Sequence, residues 1–88
     1  MDSKNETTYF FTNFPTNFSE YDMWKNFQRR GRLKEGFIPR KLDWKGYRFG
    51  FVRFQDVKNV GELEQDLNKI RIGKAKLHNN IARFKKDE

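Results

Sequence analysis

The chain has 88 residues, no cysteine, one histidine and a net charge of +7. This length fits one domain with a thin hydrophobic core, and the lack of cysteine excludes a disulfide framework and a thiolate metal site. A single histidine excludes a histidine-rich metal site and argues against a hydrolytic triad. We therefore predict a protein that is not an enzyme and that needs neither a metal nor another cofactor.

The positive charge is concentrated in two segments. Residues 24–53 carry ten lysines and arginines against two acidic residues, and residues 71–88 carry six against two. Such basic segments are typical of nucleic-acid partners. No apolar run approaches the length of a membrane span, and the N-terminus lacks the apolar core of a signal peptide. We expect no membrane partner and an intracellular location, in the nucleus or the cytoplasm.

The first predicted element is a strand. Residues 1–7 are polar and predicted to be disordered. "TYFFTNF", from Thr8 to Phe14, combines aromatic residues with threonine, a composition that favours a strand, and Pro15 ends it.

A helix is predicted next. Ser19 and Asp22 have the spacing of a capping box, so the Ser19 side chain caps the helix. Met23 and Phe27 then recur at helical spacing, and Gly31 ends the helix.

Two further strands follow. "LKEGFIPRKL" (33–42) contains Pro39, which cannot donate a ladder hydrogen bond, so this strand lies at a sheet edge or ends there. "DWKG" (43–46) is a turn, and "YRFGFVRF" (47–54) is the third strand. Side chains alternate along a strand, which places Phe49, Phe51 and Arg53 on one face and Gly50, Val52 and Phe54 on the other.

The last third of the chain predicts a second helix and the final strand. Asp56 is the expected cap of this helix, and Gly61 weakens it by about 1 kcal/mol. Its apolar face comprises Val57, Val60, Leu63 and Leu67. "KIRIGKAKLHNNIARF" (69–84) holds one or two short strands around Gly73, and residues 85–88 form a polar tail.

The predicted order is strand, helix, strand, strand, helix, strand. This is the split βαβ pattern, an α+β fold with a four-stranded antiparallel sheet and both helices on one face. The other face of the sheet is then open to solvent or to a ligand.

The same order, with its two aromatic strands, resembles the RNA recognition motif (RRM) family over residues 8–84. The short motif of the family's first strand resembles "YFFTNF" (9–14), and the octapeptide of its third strand resembles "YRFGFVRF". The resemblance implies that Phe10, Phe49 and Phe51 stack on bases, while Tyr9 and Phe11 point into the core.

One part of the octapeptide departs from the family pattern. The family begins it with a basic residue and glycine, whereas Tyr47 and Arg48 stand here, preceded by Lys45 and Gly46. The cation that contacts a phosphate is therefore either Lys45 or Arg48. The segments "FFTNFP", "RRGRLKEGFIPRKLD" and "RFGFVRF" also resemble RRMs near the start of plant proteins, including those encoded by LINE-type retrotransposons.

The family resemblance implies a monomeric module that binds single-stranded RNA, with single-stranded DNA as an alternative ligand, within a larger RNA-processing or retrotransposon RNA-packaging protein. Lysine and arginine would bind phosphates, and Lys76, His78 and Asn80 are candidates for base choice. The other candidate RNA contacts are Thr12, Phe37 and Arg53, and Trp44 is either a loop anchor or an extra stacking ring. Three alternatives stay open: burial of Phe49 and Phe51 under a C-terminal extension or a partner, a solvated Arg53 that pairs with Glu35, and a module that binds a protein partner through its helices.

Overall fold

A computed structural model describes residues 6–82 of the chain. The elements are β1 (Thr7–Thr12), α1 (Glu20–Phe27), β2 (Arg32–Phe37), β3 (Phe49–Gln55), α2 (Val60–Leu67), β4 (Arg71–Ile72), β5 (Ala75–Lys76) and β6 (His78–Ile81). Four of the strands form an antiparallel sheet in the order β2-β3-β1-β6, and β4 and β5 pair as a separate small hairpin. The predicted α+β fold is confirmed.

The core lies between the two helices and one face of the sheet. On β1, the side chains of Tyr9 and Phe11 are fully buried, as predicted, while their neighbours alternate to the other face. They pack in one cluster with side chains from both helices and from β3, namely Met23, Phe27, Val52, Phe54 and Leu67. Both helices therefore cover the same face, and within residues 6–82 the opposite face of the sheet carries no helix.

A glycine in β3 makes room for one of these core rings. A Cβ atom at Gly50 would stand 2.4 Å from Cζ of Phe11, closer than any real contact. The Phe11 ring therefore lies directly over the backbone of β3. It also packs against Phe27 of α1, with ring centroids 4.9 Å apart.

The predicted start of α1 is confirmed. The Ser19 side chain accepts a hydrogen bond from the backbone N–H of Asp22, and the Asp22 carboxylate accepts one from the backbone N–H of Ser19. These bonds to Ser19 favour the ionised carboxylate and lower the pKa of Asp22. The helix ends at Phe27, earlier than the predicted stop at Gly31, because residues 28–30 continue as a turn.

The predicted start of α2 is wrong. The cap is Asn59, whose Oδ1 accepts a hydrogen bond from the backbone N–H of Glu62 at 2.9 Å. Asp56 instead has a left-handed backbone conformation, with φ of 55°. The chain turns at this residue as it leaves β3, so helical geometry begins only at Val60, and Val57 contacts the core from outside the helix.

The remaining boundaries shift by a few residues. β1 begins at Thr7, inside the segment predicted to be disordered, and residues 1–5 and 83–88, including the predicted tail, lie outside the described range. β2 is an edge strand and ends two residues before Pro39, as predicted. The C-terminal region forms three short strands instead of one or two, with Gly73 at φ of 63° in the hairpin turn between β4 and β5.

Candidate nucleic-acid interface

The strand register aligns the predicted aromatic residues across the helix-free face. Phe51 of β3 lies opposite Phe37 of β2 on one side and opposite Phe10 of β1 on the other. Asn80 of β6 continues this line beyond Phe10. We call Phe37, Phe51 and Phe10 the ring row, because directly paired residues of an antiparallel sheet project from the same face.

The rings of this row contact one another and remain partly open to solvent. The centroid of the Phe51 ring lies 5.8 Å from that of Phe37 and 5.5 Å from that of Phe10. Phe37 is 51% exposed, and Phe10 and Phe51 are half-buried. Three strands therefore present a continuous apolar surface that the protein's own core does not use.

Phe49 lies on the same face, but its ring is not open as the sequence led us to expect. It is only 8% exposed. The Phe10 ring stacks beside it at 5.6 Å and the Phe51 ring meets it edge-on at 5.7 Å. Phe49 also lines a cleft together with the loop between β2 and β3. Phe49 thus supports the neighbouring rings more than it offers a free surface.

Arg53 lies on the predicted face, and its charge is already paired. Its Nη1 atom lies 2.6 Å from the Glu35 carboxylate of β2 and 3.9 Å from that of Glu6. Its Nε donates a hydrogen bond to the Thr8 hydroxyl at 3.3 Å. Of the two roles open for Arg53, the structure thus contains the ion pair with Glu35.

The two candidate phosphate-binding cations occupy different surroundings. Arg48 precedes β3 and donates a hydrogen bond to the Thr16 carbonyl at 2.6 Å, with its guanidinium 5.3 Å from the centroid of the Phe14 ring. Lys45 lies in the loop beside the sheet face, with Nζ 5.1 Å from the centroid of the Trp44 ring. Within residues 6–82, Lys45 forms no ion pair.

The predicted polar candidates gather at the β6 edge. His78 lies opposite Thr12 in the register, one step along from Asn80. Lys76 of the small hairpin lines a shallow cleft of about 400 Å³ with His78 and Asn80. The backbone carbonyl of Lys76 accepts a hydrogen bond from the Asn13 amide at 2.7 Å, which ties the hairpin to the end of β1.

Besides Lys45 and Trp44, which the sequence already offered, the loop between β2 and β3 contributes residues that were not among the predicted contacts. A cleft of about 680 Å³, the loop cleft, lies between this loop and the sheet. Its walls are residues 41–45 and Tyr47 of the loop together with Phe10, Thr12, Phe49 and Asn80 of the sheet. A sequence signal for Tyr47 existed, since it continues the alternation of Phe49 and Phe51 toward the N-terminus.

Other kinds of site have less support. Within residues 6–82, no cluster of three or more histidine, cysteine, aspartate or glutamate side chains could hold a metal ion. Neither helix in this part of the chain has the length and apolar character needed to span a membrane.

Solved structures share this fold. The chain matches the structure of the Rna15 RRM with bound RNA (GU), with a TM-score of 0.67, 15% identity, and coverage of 85% of this chain and 81% of the other. The two Sex-lethal RNA recognition domains of Drosophila melanogaster match with a TM-score of 0.69, 22% identity, and coverage of 88% and 50%. The first two RRM domains of the yeast poly(U)-binding protein match with a TM-score of 0.71, 15% identity, and coverage of 96% and 52%.

The chain thus spans about half the length of these two-domain structures. No curated protein sequence matches it significantly. The family model described as the RNA recognition motif matches residues 10–78, which is most of the chain and includes all of β3 and the second half of β1. This chain belongs to the RNA recognition motif family.

Proposed function

We propose that this domain binds single-stranded RNA on the helix-free face of its sheet. The observation that carries the proposal is the ring row, in which Phe37, Phe51 and Phe10 contact one another across three strands and stay partly exposed. Unstacked bases offer flat apolar faces, and stacking on an aromatic side chain is worth about 1–3 kcal/mol per base. Phe49 acts in this proposal as the support that holds Phe10 and Phe51 in place.

Positive side chains near the row supply the phosphate contacts. Lys45 is the better placed of the two candidates, because Arg48 is held by the Thr16 carbonyl and the Phe14 ring. Arg53 reaches a phosphate only by leaving Glu35, so its contribution is smaller than that of an unpaired cation.

The β6 edge supplies the polar groups for base choice. Asn80 lies directly beside Phe10, so its amide can hydrogen-bond a base that stacks on that ring. Thr12, His78 and Lys76 are further contacts along the same edge. Two of the matched structures support this ligand class, since one is an RRM with bound RNA (GU) and the other belongs to a poly(U)-binding protein.

The test is an anisotropy titration of labelled single-stranded RNA, one strand of uridines and one of mixed sequence, at several salt concentrations. With about four phosphates neutralised, the logarithm of the affinity should fall with the logarithm of salt at a slope of about −3. Phe51→Ala should weaken binding about 5- to 150-fold, the equivalent of one lost stacking contact. Single-stranded DNA of the same sequence tests the alternative ligand.

Tyr21→Ala is the matched control, since Tyr21 is an exposed aromatic residue on α1, away from the sheet face. Equal affinities of the parent, Phe51→Ala and Tyr21→Ala would reject the stacking mechanism. A protein partner that binds Phe51→Ala as well as the parent, with no RNA binding by either, would favour the alternative of a partner module that uses its helices.

One RRM contacts few nucleotides, so we propose that it works beside other RNA-binding domains of a larger protein, which raise its effective concentration on the strand. The matched structures with two such domains are examples of this arrangement. The resemblance to plant retrotransposon proteins rests on short sequence segments alone, and the matched family and structures do not support it.

A further inference from the structure

The loop between β2 and β3 exposes several large apolar side chains. Five large hydrophobic residues are exposed among the described residues, and three of them, Leu42, Trp44 and Tyr47, lie in this loop. Trp44 is 89% exposed and Tyr47 is 63% exposed. Single exposed apolar residues are common, whereas a cluster beside a concave surface indicates a binding site.

The backbone of this loop is held by Asp43. Its carboxylate Oδ1 accepts hydrogen bonds from the backbone N–H groups of Lys45 at 2.9 Å and Tyr47 at 2.8 Å. The backbone N–H of Asp43 also donates to the Tyr47 carbonyl at 2.8 Å. Gly46 has φ of 88°, which suits glycine in such a turn. The loop therefore presents its rings in a preformed arrangement, which reduces the entropy lost when a ligand binds.

The loop cleft combines the groups that recognise a nucleotide. Phe10 supplies aromatic surface from the sheet, supported by the mostly buried Phe49, and Thr12 and Asn80 supply polar groups. Its volume of about 680 Å³ lies within the range of sites for small ligands, roughly 300–1,000 Å³.

Two positively charged side chains also line the loop cleft. Lys41 and Lys45 line it, and neither forms an ion pair within residues 6–82. The Lys45 ammonium lies over one face of the Trp44 ring, which leaves the opposite face for a base. Aromatic surface, hydrogen-bonding groups and unpaired positive charge together match a base with its phosphate.

We propose that the loop cleft adds one further base-binding position to the ring row, in which Trp44 stacks on the neighbouring nucleotide of the same RNA strand. This inference rests on the proposed function, because Phe10 lies in both the row and the cleft, so one continuous strand serves both. A nucleotide fits better than an apolar peptide, since Lys41 and Lys45 complement phosphate and the whole chain has a net charge of +7.

Tryptophan fluorescence tests this site directly. The chain has two tryptophans, and Trp24 packs against the core from α1. Trp24→Phe therefore leaves Trp44 as the only tryptophan, whose emission is then followed by itself. Circular dichroism checks that this variant folds. Uridine RNA should quench the Trp44 emission over the concentration range in which anisotropy reports binding. An abasic strand of equal length is the control, because it carries the phosphates without the stacking bases and should leave the emission unchanged.

Affinity gives the second measurement. Trp44→Ala should weaken uridine RNA binding about 5- to 150-fold, the equivalent of one stacked base. Trp44→Phe should recover part of this loss, and Tyr21→Ala, which removes an exposed ring outside the cleft, should bind as the parent does.

The possible failures are distinct. RNA binding by anisotropy with unchanged Trp44 emission, and with parental affinity of Trp44→Ala, would overturn the loop site and leave the ring row standing. Quenching by the abasic strand equal to that by uridine RNA would overturn stacking at Trp44. A parent chain that binds no single strand at all would overturn the proposed function and this inference with it.

Discussion

Arg53 Nη1 lies 2.6 Å from Glu35 Oε2, across the two neighbouring strands β3 and β2 and two residues along each strand from the ring row. Glu35 is the carboxylate nearest to this guanidinium, since Glu6 lies farther away at 3.9 Å. The pair is partly exposed, so it contributes at most about 1 kcal/mol to stability. Under the proposed function its larger effect is on RNA binding, because Glu35 would compete with a phosphate for Arg53.

We therefore expect Glu35→Gln to tighten RNA binding and to steepen the salt dependence by about 0.7, the contribution of one further phosphate contact in single strands. Anisotropy titrations at several salt concentrations measure both effects. Asp56→Asn is a matched control, because it removes the same charge and releases Arg32, 3.3 Å away, from a pair on a turn outside the ring row. Equal changes in affinity and salt dependence in both variants would mean that only the net charge of the domain affects RNA binding, and that Arg53 makes no new phosphate contact.

The burial of Phe49 predicts that the two aromatic residues of β3 on the helix-free face, Phe49 and Phe51, differ in their effect on stability. Phe49→Ala should lower the free energy of unfolding by about 3 kcal/mol, as for a ring removed from a packed site. Phe51→Ala should cost about 1 kcal/mol, because its half-buried ring removes less area from water. Urea denaturation followed by circular dichroism measures both values. Similar losses would contradict the supporting role of Phe49.

Two glycines make a pair with opposite predicted effects. Gly50→Ala should destabilise the domain by about 1–3 kcal/mol, because the new Cβ atom would meet the buried Phe11 ring. Gly61→Ala should stabilise it by about 0.5–1 kcal/mol, because Gly61 lies in α2 with open space around it. Urea denaturation of the two variants and the parent measures both changes in stability. A tolerated Gly50→Ala would show that Phe11 can move away from the strand.

The buried phenol of Tyr9 predicts a loss of stability at alkaline pH. Burial, with a further contribution from the charge of Glu64, raises the pKa of Tyr9 from 10.0 to about 12, and its hydroxyl donates a hydrogen bond to the Val60 carbonyl at 2.8 Å. The folded state therefore holds this proton more tightly than the unfolded chain does. Its contribution to stability is complete below pH 10 and is lost as the pH rises toward 12.

Tyr9→Phe has no phenol to ionise, so its stability should fall less than that of the parent between pH 10 and 12. Urea denaturation at a series of alkaline pH values compares the two chains. Parallel pH profiles would mean that Tyr9 does not carry this dependence.

The periodicity of the sequence by itself determined which residues face the core. Alternation in β1 and β3 separated Tyr9, Phe11 and Val52 from Phe10 and Phe51, because successive side chains of a strand point to opposite faces. The cap of α1 and the end of β2 before Pro39 could be predicted for a related reason. Each depends on atoms within a few residues of one another in the chain.

Only the tertiary structure decided how these local features meet. The alignment of Phe37 with Phe51 and Phe10 depends on the register of three strands that are distant in sequence. The burial of Phe49 likewise depends on the Phe10 ring, which stacks beside it from β1, a strand distant in sequence. Composition and periodicity do not determine which strands pair or in what register. The free energy that selects these pairings comes from packing and hydrogen bonds between separate segments.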